Sequence, residues 1–176
     1  MHILFISWWW PYPANNGSKI RIYNLLRHLS REFQVTLLSF ADADEATPEQ
    51  LAHMRSFCKR VEVVPKPVYN PSALKATLGY FSRWPRSLVD VYSEPMEHLV
   101  KQVCADGIDA ILSSELQTMR YLEVVPHIPG ILEEIEITQF HNKVDEAEGR
   151  AGRLRAQMTL NKFESSLRQL LAHGIA

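Results

Sequence analysis

The first forty or so residues constrain the fold more than any other part of the chain. Ile3-Leu4-Phe5-Ile6 is a short, unbroken apolar run with β-branched members, the pattern of a strand covered on both faces. The segment from Trp8 through Trp9, Trp10, Pro11, Tyr12 and Pro13 to Asn15-Asn16-Gly17 excludes regular structure, because prolines, asparagines and glycine punctuate it. Ser18 is then expected to cap a helix. Ile22, Leu25, Leu26, Leu29 and Phe33 recur at helical spacing, with Lys19, Arg27 and Arg31 elsewhere on the wheel. Gln34 to Phe40 reads as a second buried strand. Strand, loop, helix and strand in this compass form a βαβ unit, the connection that parallel strands require.

The alternation continues. Leu51, Met54, Phe57 and Cys58 make a helical stripe, and Val61 to Val64 a third strand. Leu99, Val100, Val103 and Cys104 make another stripe before a fourth strand at Ala110 to Leu112. Gly130 to Ile135 reads as a fifth strand. From about Leu154 the chain reads as a helix with Leu160, Phe163, Leu167, Leu170 and Leu171 on one face and Gly174 as its C-cap. The expected fold is a doubly wound, Rossmann-like α/β domain spanning residues 1–176, its parallel sheet ordered 3-2-1-4-5. The chain ends where a further strand is expected, which suggests a longer protein.

Composition removes several functions. With 19 Lys+Arg against 20 Asp+Glu the formal charge is −1, so no global field draws the chain to nucleic acid. Two cysteines without paired spacing do not make a zinc site and read as reduced, half-buried thiols. No apolar run is long enough to span a membrane, and no signal-peptide pattern opens the chain. The expectation is a soluble, cytoplasmic protein. One stretch departs from this balance: between Glu62 and Asp90 there is no acidic residue, yet Lys66, Lys75, Arg83 and Arg86 alternate with Tyr69, Tyr80, Phe81 and Trp84. Lys75, Arg83, Trp84 and Arg86 are therefore candidates for an acceptor or peripheral membrane contact at the inner face of the membrane.

Parallel sheets bind ligands at the carboxyl ends of their strands, where helix N-termini offer free N–H groups. Asn16, Gly17 and Ser18 are candidates for an anion or sugar-phosphate contact, and Arg21 lies one turn further along the same helix. Glu115 follows the fourth strand with Ser113, Ser114 and Gln117. Glu133, Glu134 and Glu136 end the fifth, with His141 just beyond. The tryptophans after the first strand offer either a platform for a sugar ring or filling beneath the loop. A single glycine argues against a dinucleotide fingerprint, although Asp42 stands where a ribose-binding acid would. The absence of Gly-Lys-Ser/Thr removes a P-loop, and the absence of Gly-x-Ser-x-Gly removes a hydrolase elbow.

Ile3-Leu4-Phe5-Ile6-Ser7, Pro11 and Pro13, Asn16-Gly17-Ser18-Lys19-Ile20-Arg21, Tyr23-Asn24-Leu25-Leu26 and Val35-Thr36-Leu37 together resemble the opening of family-4-type glycosyltransferases of the GT-B fold. The likeness is to bacterial sugar transferases of exopolysaccharide assembly. It extends through Asp109-Ala110-Ile111, Glu115, Met119-Arg120-Tyr121, Glu134-Ile135-Glu136 and Phe163-Glu164. The resemblance implies the N-terminal, acceptor-binding domain of a two-domain enzyme. That enzyme would be retaining and independent of metal or other cofactor. The nucleotide-sugar donor would be held mainly by a C-terminal domain beyond this chain, and the acceptor would be a glycan or a lipid-linked sugar. It places Gly17 and Ser18 towards donor phosphate or sugar, and Arg21, Glu115 and Glu136 towards the acceptor. In this chain Ser18 stands where the family often has a second glycine, and Leu112, Ser114 and Glu115 stand where many members carry a histidine. Two other readings of the residues stay open: a non-catalytic α/β module that binds a partner through the basic aromatic stretch, and the nucleotide-binding half of an oxidoreductase.

Overall fold

The structure is a computed structural model that describes residues 1–133 and 136–172. Five strands, β1 (His2–Ser7), β2 (Gln34–Ala41), β3 (Arg60–Pro65), β4 (Ala110–Ser114) and β5 (Gly130–Glu133), form one sheet in the order β3-β2-β1-β4-β5. Every pairing is parallel. The expected Rossmann-like topology is the observed one. Its cause is visible in β1 and β2, whose neighbours on both sides leave no face for water, so Leu4, Phe5, Ile6, Leu37, Leu38 and Phe40 are all fully buried.

Alternation along the strands splits the apolar residues into two cores. Leu4, Ile6, Leu38 and Phe40 point to one face, where α5 (Glu94–Ala105) contributes Met96, Val100 and Val103. On the same side lie the short α4 (Arg86–Asp90), a 3-10 segment (Leu116–Val124) and the long α7 (Gly149–Ala172), with Leu88, Met119, Tyr121 and Phe163. Phe5, Val35, Leu37 and Val61 point to the other face, covered by Ile22 and Leu26 of α1 (Gly17–Glu32) and Met54 of α2 (Pro48–Arg55). The short α3 (Leu74–Leu78) and α6 (Thr138–Asp145) complete the chain, and Phe140 of α6 stacks on Phe163 at 4.7 Å between ring centroids.

Several expectations change in detail. The cap of α1 is Asn16 rather than Ser18: the Asn16 side-chain oxygen accepts from the Lys19 backbone N–H at 3.0 Å, the geometry that satisfies an orphan donor of the first turn. Lys19 is buried instead of solvated, because its ammonium is ion-paired with Glu45. β4 runs on to Ser114, as its pairing with β1 continues to Ser7. Leu171 is exposed, whereas Leu160, Phe163, Ser166 and Leu170 are buried, so the buried stripe of α7 takes in a small serine and omits the last leucine. Cys58 lies beyond the end of α2, and it and Cys104 are free, buried thiols. Burial raises the first to about 12 and the second to about 11. The expected end of the fifth strand at Glu134-Ile135 and the cap at Gly174 lie outside the described residues.

Candidate functional site

Three serines stand side by side at the carboxyl end of the sheet, because the register pairs Ser7 with Ser39 on one side and with Ser114 on the other. All three are fully buried. Ser7 and Ser39 donate to the Trp9 carbonyl at 2.6 and 3.1 Å, which fastens the loop after β1 over the sheet. Trp8 and Trp10 fill the space beneath, and the Trp10 indole donates to Gln50 at 2.8 Å. Only Trp9 keeps partial exposure, and the Lys66 ammonium sits 3.3 Å from the centre of one of its rings. The tryptophans are thus mostly packing.

Ser114 donates to Glu133 Oε2 at 2.9 Å, and Glu133 is its register partner on β5. The other oxygen of Glu133 meets Arg21 Nε at 2.7 Å. Arg21 also reaches Glu115, with Nη2 3.6 Å from Oε1. The Ser18 side chain, not needed for capping, lies near enough to Glu115 to pull its carboxyl back down. Residues from α1, β4 and β5 therefore converge at the carboxyl ends of the central strands, next to the first turn of α1 with its partial positive charge. Of the expected residues, Ser18, Arg21 and Glu115 come together here. Glu136 is exposed, receives a donor from Gln139 at 3.5 Å, and lies near enough to Glu115 to act on its charge. Asn16 is exposed with its side-chain oxygen committed to the cap. Gly17 faces open space: a Cβ placed there would meet nothing within 4 Å. Glu133, which the sequence places only among the acids that end the fifth strand, completes the cluster.

Glu115 is held in an unusual backbone state, φ 79° and ψ 153°, a region that essentially only glycine occupies freely. Thr118 clamps this turn by donating to the carbonyls of Ser114 and Glu115 at 2.7 and 2.9 Å. Burial lifts the Glu115 carboxyl above the ordinary range; Arg21 and Ser18 pull it back, and Glu133 and Glu136 push it further up. Among the described residues, the carboxylates of Glu115 and Glu133 share the Arg21 guanidinium, so the cluster suits a hydroxyl donor or a cation better than a phosphate. Arg21, expected towards the acceptor, meets Glu133 and Glu115 inside the chain. Beside the cluster, a recess of about 220 Å³ is lined by Trp8, Leu88, Leu116, Gln117, Phe140 and Lys143. Gln117 Oε1 is buried there without a hydrogen-bond donor among the described residues.

The residues of the basic aromatic stretch are tied into the chain to different degrees. Trp84 is 3% exposed and belongs to the core, so it is not available to a membrane. Arg83 is ion-paired with Glu123 and bonded to Gln169, Lys75 donates to the Tyr92 carbonyl at 2.6 Å, and Arg86 bonds Tyr80 and two carbonyls. The aromatics Tyr69, Tyr80 and Phe81 of the stretch are exposed, Phe81 most of all at 90%. Asp42, the would-be ribose acid, lies 3.7 Å from the Lys66 ammonium at the mouth of a 650 Å³ cavity after β2 and β3. His141 lies exposed on α6. Among the described residues no three acidic, histidine or cysteine side chains are grouped to hold a metal, and no helix is long and apolar enough to cross a membrane.

No family model matches the chain, and no curated protein sequence matches it. Among solved structures, the chain is similar to the C-terminal domain (residues 83–215) of a hydrogenase from Pyrococcus furiosus. That match has 15% identity and a TM-score of 0.49, and covers 75% of this chain and 90% of that one. It is also similar to apo UGT2 of Phytolacca americana, with 12% identity and a TM-score of 0.46, over 93% of this chain and 43% of that one. The same plant protein complexed with UDP-2-fluoro-glucose and pterostilbene gives 12% identity and a TM-score of 0.42, over 93% of this chain and 45% of that one. The chain therefore spans less than half the length of the plant protein.

Proposed function

We propose that residues 1–176 form the N-terminal, acceptor-binding domain of a GT-B glycosyltransferase that moves a sugar from a nucleotide sugar onto a glycan or lipid-linked acceptor. The observation that carries this reading is the meeting of the α1 N-terminus with Arg21, Glu115 and Glu133 at the carboxyl ends of β4 and β5, on a sheet ordered 3-2-1-4-5. The order of sequence motifs from Ile3 to Glu164 supports it. In this reading a second domain supplies most of the donor site, transfer is retaining and metal-independent, and the enzyme works in the cytoplasm on bacterial polysaccharide.

Each group of the cluster then has a task. Glu115 accepts a hydrogen bond from the acceptor hydroxyl, and its raised carboxyl makes it a stronger base for that proton than an ordinary glutamate. Arg21 fixes Glu133 and steadies the charge that remains on Glu115. Gln117 Oε1 offers a further acceptor for a sugar hydroxyl in the adjoining recess. Gly17 and Ser18 present the first N–H groups of α1 to the charge developing on the donor diphosphate. Glu136 lies at the open rim towards the acceptor.

The test uses the protein with its downstream domain. A panel of nucleotide sugars should raise its melting temperature, and sugar transfer should follow for the stabilising donor. Glu115→Gln should lower kcat by about 10²-fold or more while leaving donor-induced stabilisation unchanged. Unaltered turnover in that variant overturns the role of the cluster.

A further inference from the structure

Away from the Glu115 cluster, three cations converge where the turn after α3 meets α7. Tyr80, Arg86, Arg155, Met158, Thr159 and Lys162 line one small recess. Arg86 donates from Nε to the Ala76 carbonyl at 2.9 Å, from Nη2 to the Pro71 carbonyl at 2.8 Å and from Nη1 to the Tyr80 hydroxyl at 2.8 Å. Lys162 Nζ donates to the carbonyls of Gly79 and Tyr80 at 3.0 and 2.7 Å. All five acceptors are neutral, so both cations are fixed in place with their charge uncompensated. Arg155 is exposed beside them. Among the described residues none of the three pairs with a carboxylate, and no acid lines the recess. Burial pulls the Lys162 ammonium below its usual range with no carboxylate to restore it.

The recess is also built rather than incidental. Gly79 packs so tightly that a Cβ there would lie 2.9 Å from the Arg86 Cα and 3.0 Å from the Ala76 carbonyl, which holds Arg86 against the turn. The Arg86 guanidinium lies 4.1 Å over the Tyr80 ring. We propose that Arg86, Arg155 and Lys162 form a binding site for a phosphate group. A cavity of about 20 Å³ holds one water-sized group, so one phosphate oxygen enters while the rest of the group and any sugar, base or glycerol stay outside. Met158 of its lining is an exposed apolar side chain, as are Leu78 and Phe81 on either side of the Gly79–Tyr80 turn. The phosphate group could belong to a phospholipid headgroup or to a soluble phosphate ester. The site is separate from the carboxyl edge of the sheet and does not depend on the glycosyl-transfer reading.

The experiment is an amide-resolved NMR titration of the chain with inorganic phosphate at constant ionic strength, joined to sedimentation with phosphatidylglycerol and phosphatidylcholine vesicles. Saturable shifts at Tyr80, Arg155 and Thr159, with Gly17 and Ser18 unmoved, are expected. Arg155→Gln, at an exposed position, should keep the melting temperature and weaken phosphate binding about tenfold. Lys162→Gln should weaken it similarly. Sedimentation with phosphatidylglycerol but not phosphatidylcholine, lost in Arg155→Gln, assigns the phosphate to a lipid headgroup. Saturation by phosphate without sedimentation assigns it to a soluble ester. The proposal fails if phosphate moves only Gly17 and Ser18, if shifts at the recess are unaffected by Arg155→Gln, or if neither phosphate nor vesicles bind.

Discussion

Glu115 combines backbone strain, burial and a shared guanidinium in a single residue. A side chain at φ 79° and ψ 153° costs about 1–3 kcal/mol in a region essentially reserved for glycine. Glu115→Gly removes that strain, adds about 1 kcal/mol of chain entropy to the unfolded state, and forfeits about 1 kcal/mol from the pair with Arg21. These terms nearly cancel, so the variant is expected to stay within about 1 kcal/mol of the native stability in urea titration, while losing sugar transfer in the full protein. A loss of more than about 2 kcal/mol would mean that the turn depends on the carboxylate. The raised carboxyl has its own signature. A group that holds its proton more tightly when folded favours the native state at low pH and loses that advantage as pH rises from the ordinary carboxylate range through its raised value. The melting temperature of the native protein should consequently fall relative to that of Glu115→Gln over this rise in pH. A constant difference between the two proteins would deny the shift.

At the scale of elements, α7 is fastened by one aromatic contact more than by its own pattern. Phe163 is fully buried and stacks on Phe140, which joins α6 and α7 to the core that also covers β4. Phe163→Ala should cost about 3–5 kcal/mol in a denaturant titration. A loss under 1 kcal/mol would show that the two helices are held elsewhere. The strands and long helices are legible in the sequence because unbroken apolar runs and 3.6-residue stripes have few other uses. The 3-10 segment is not. Leu116, Met119 and Leu122 recur every three residues, which eclipses them on one side of a 3-10 turn but also fits an α-helix or a packed loop. The basic stretch is less legible for a related reason: composition counts charges but not their partners, and Arg83 finds an acidic partner in Glu123 within the chain.

For the whole molecule, a formal charge of −1 conceals two opposite local fields, acidic at Arg21–Glu115–Glu133–Glu136 and basic at Arg86–Arg155–Lys162. The acidic field bears on which ligand this domain takes alone. Residues 1–176 should show no low-micromolar affinity for a nucleotide sugar by calorimetry, because the Glu115 cluster places two carboxylates around its one arginine. Tight binding by this chain would overturn the two-domain reading of the function.

The sequence by itself determined the strand order and the covering of both sheet faces. A chain that alternates doubly buried strands with amphipathic helices is driven to a parallel, twice-covered sheet by the cost of leaving backbone or apolar surface unpaired. It also determined that Gly17, Glu115 and Glu133 reach the carboxyl edge of the sheet, since that placement follows from topology. Only the tertiary structure decided which of these residues touch. Arg21 and Glu133 are far apart in the chain, and their meeting depends on the registers that set Ser7 beside Ser114 and Ser114 beside Glu133. The same holds for Asn16 displacing Ser18 as the cap, and for Lys162 reaching back to Gly79. Charge pairing and capping turn on ångström distances between residues remote in sequence, and those distances are properties of the packed molecule.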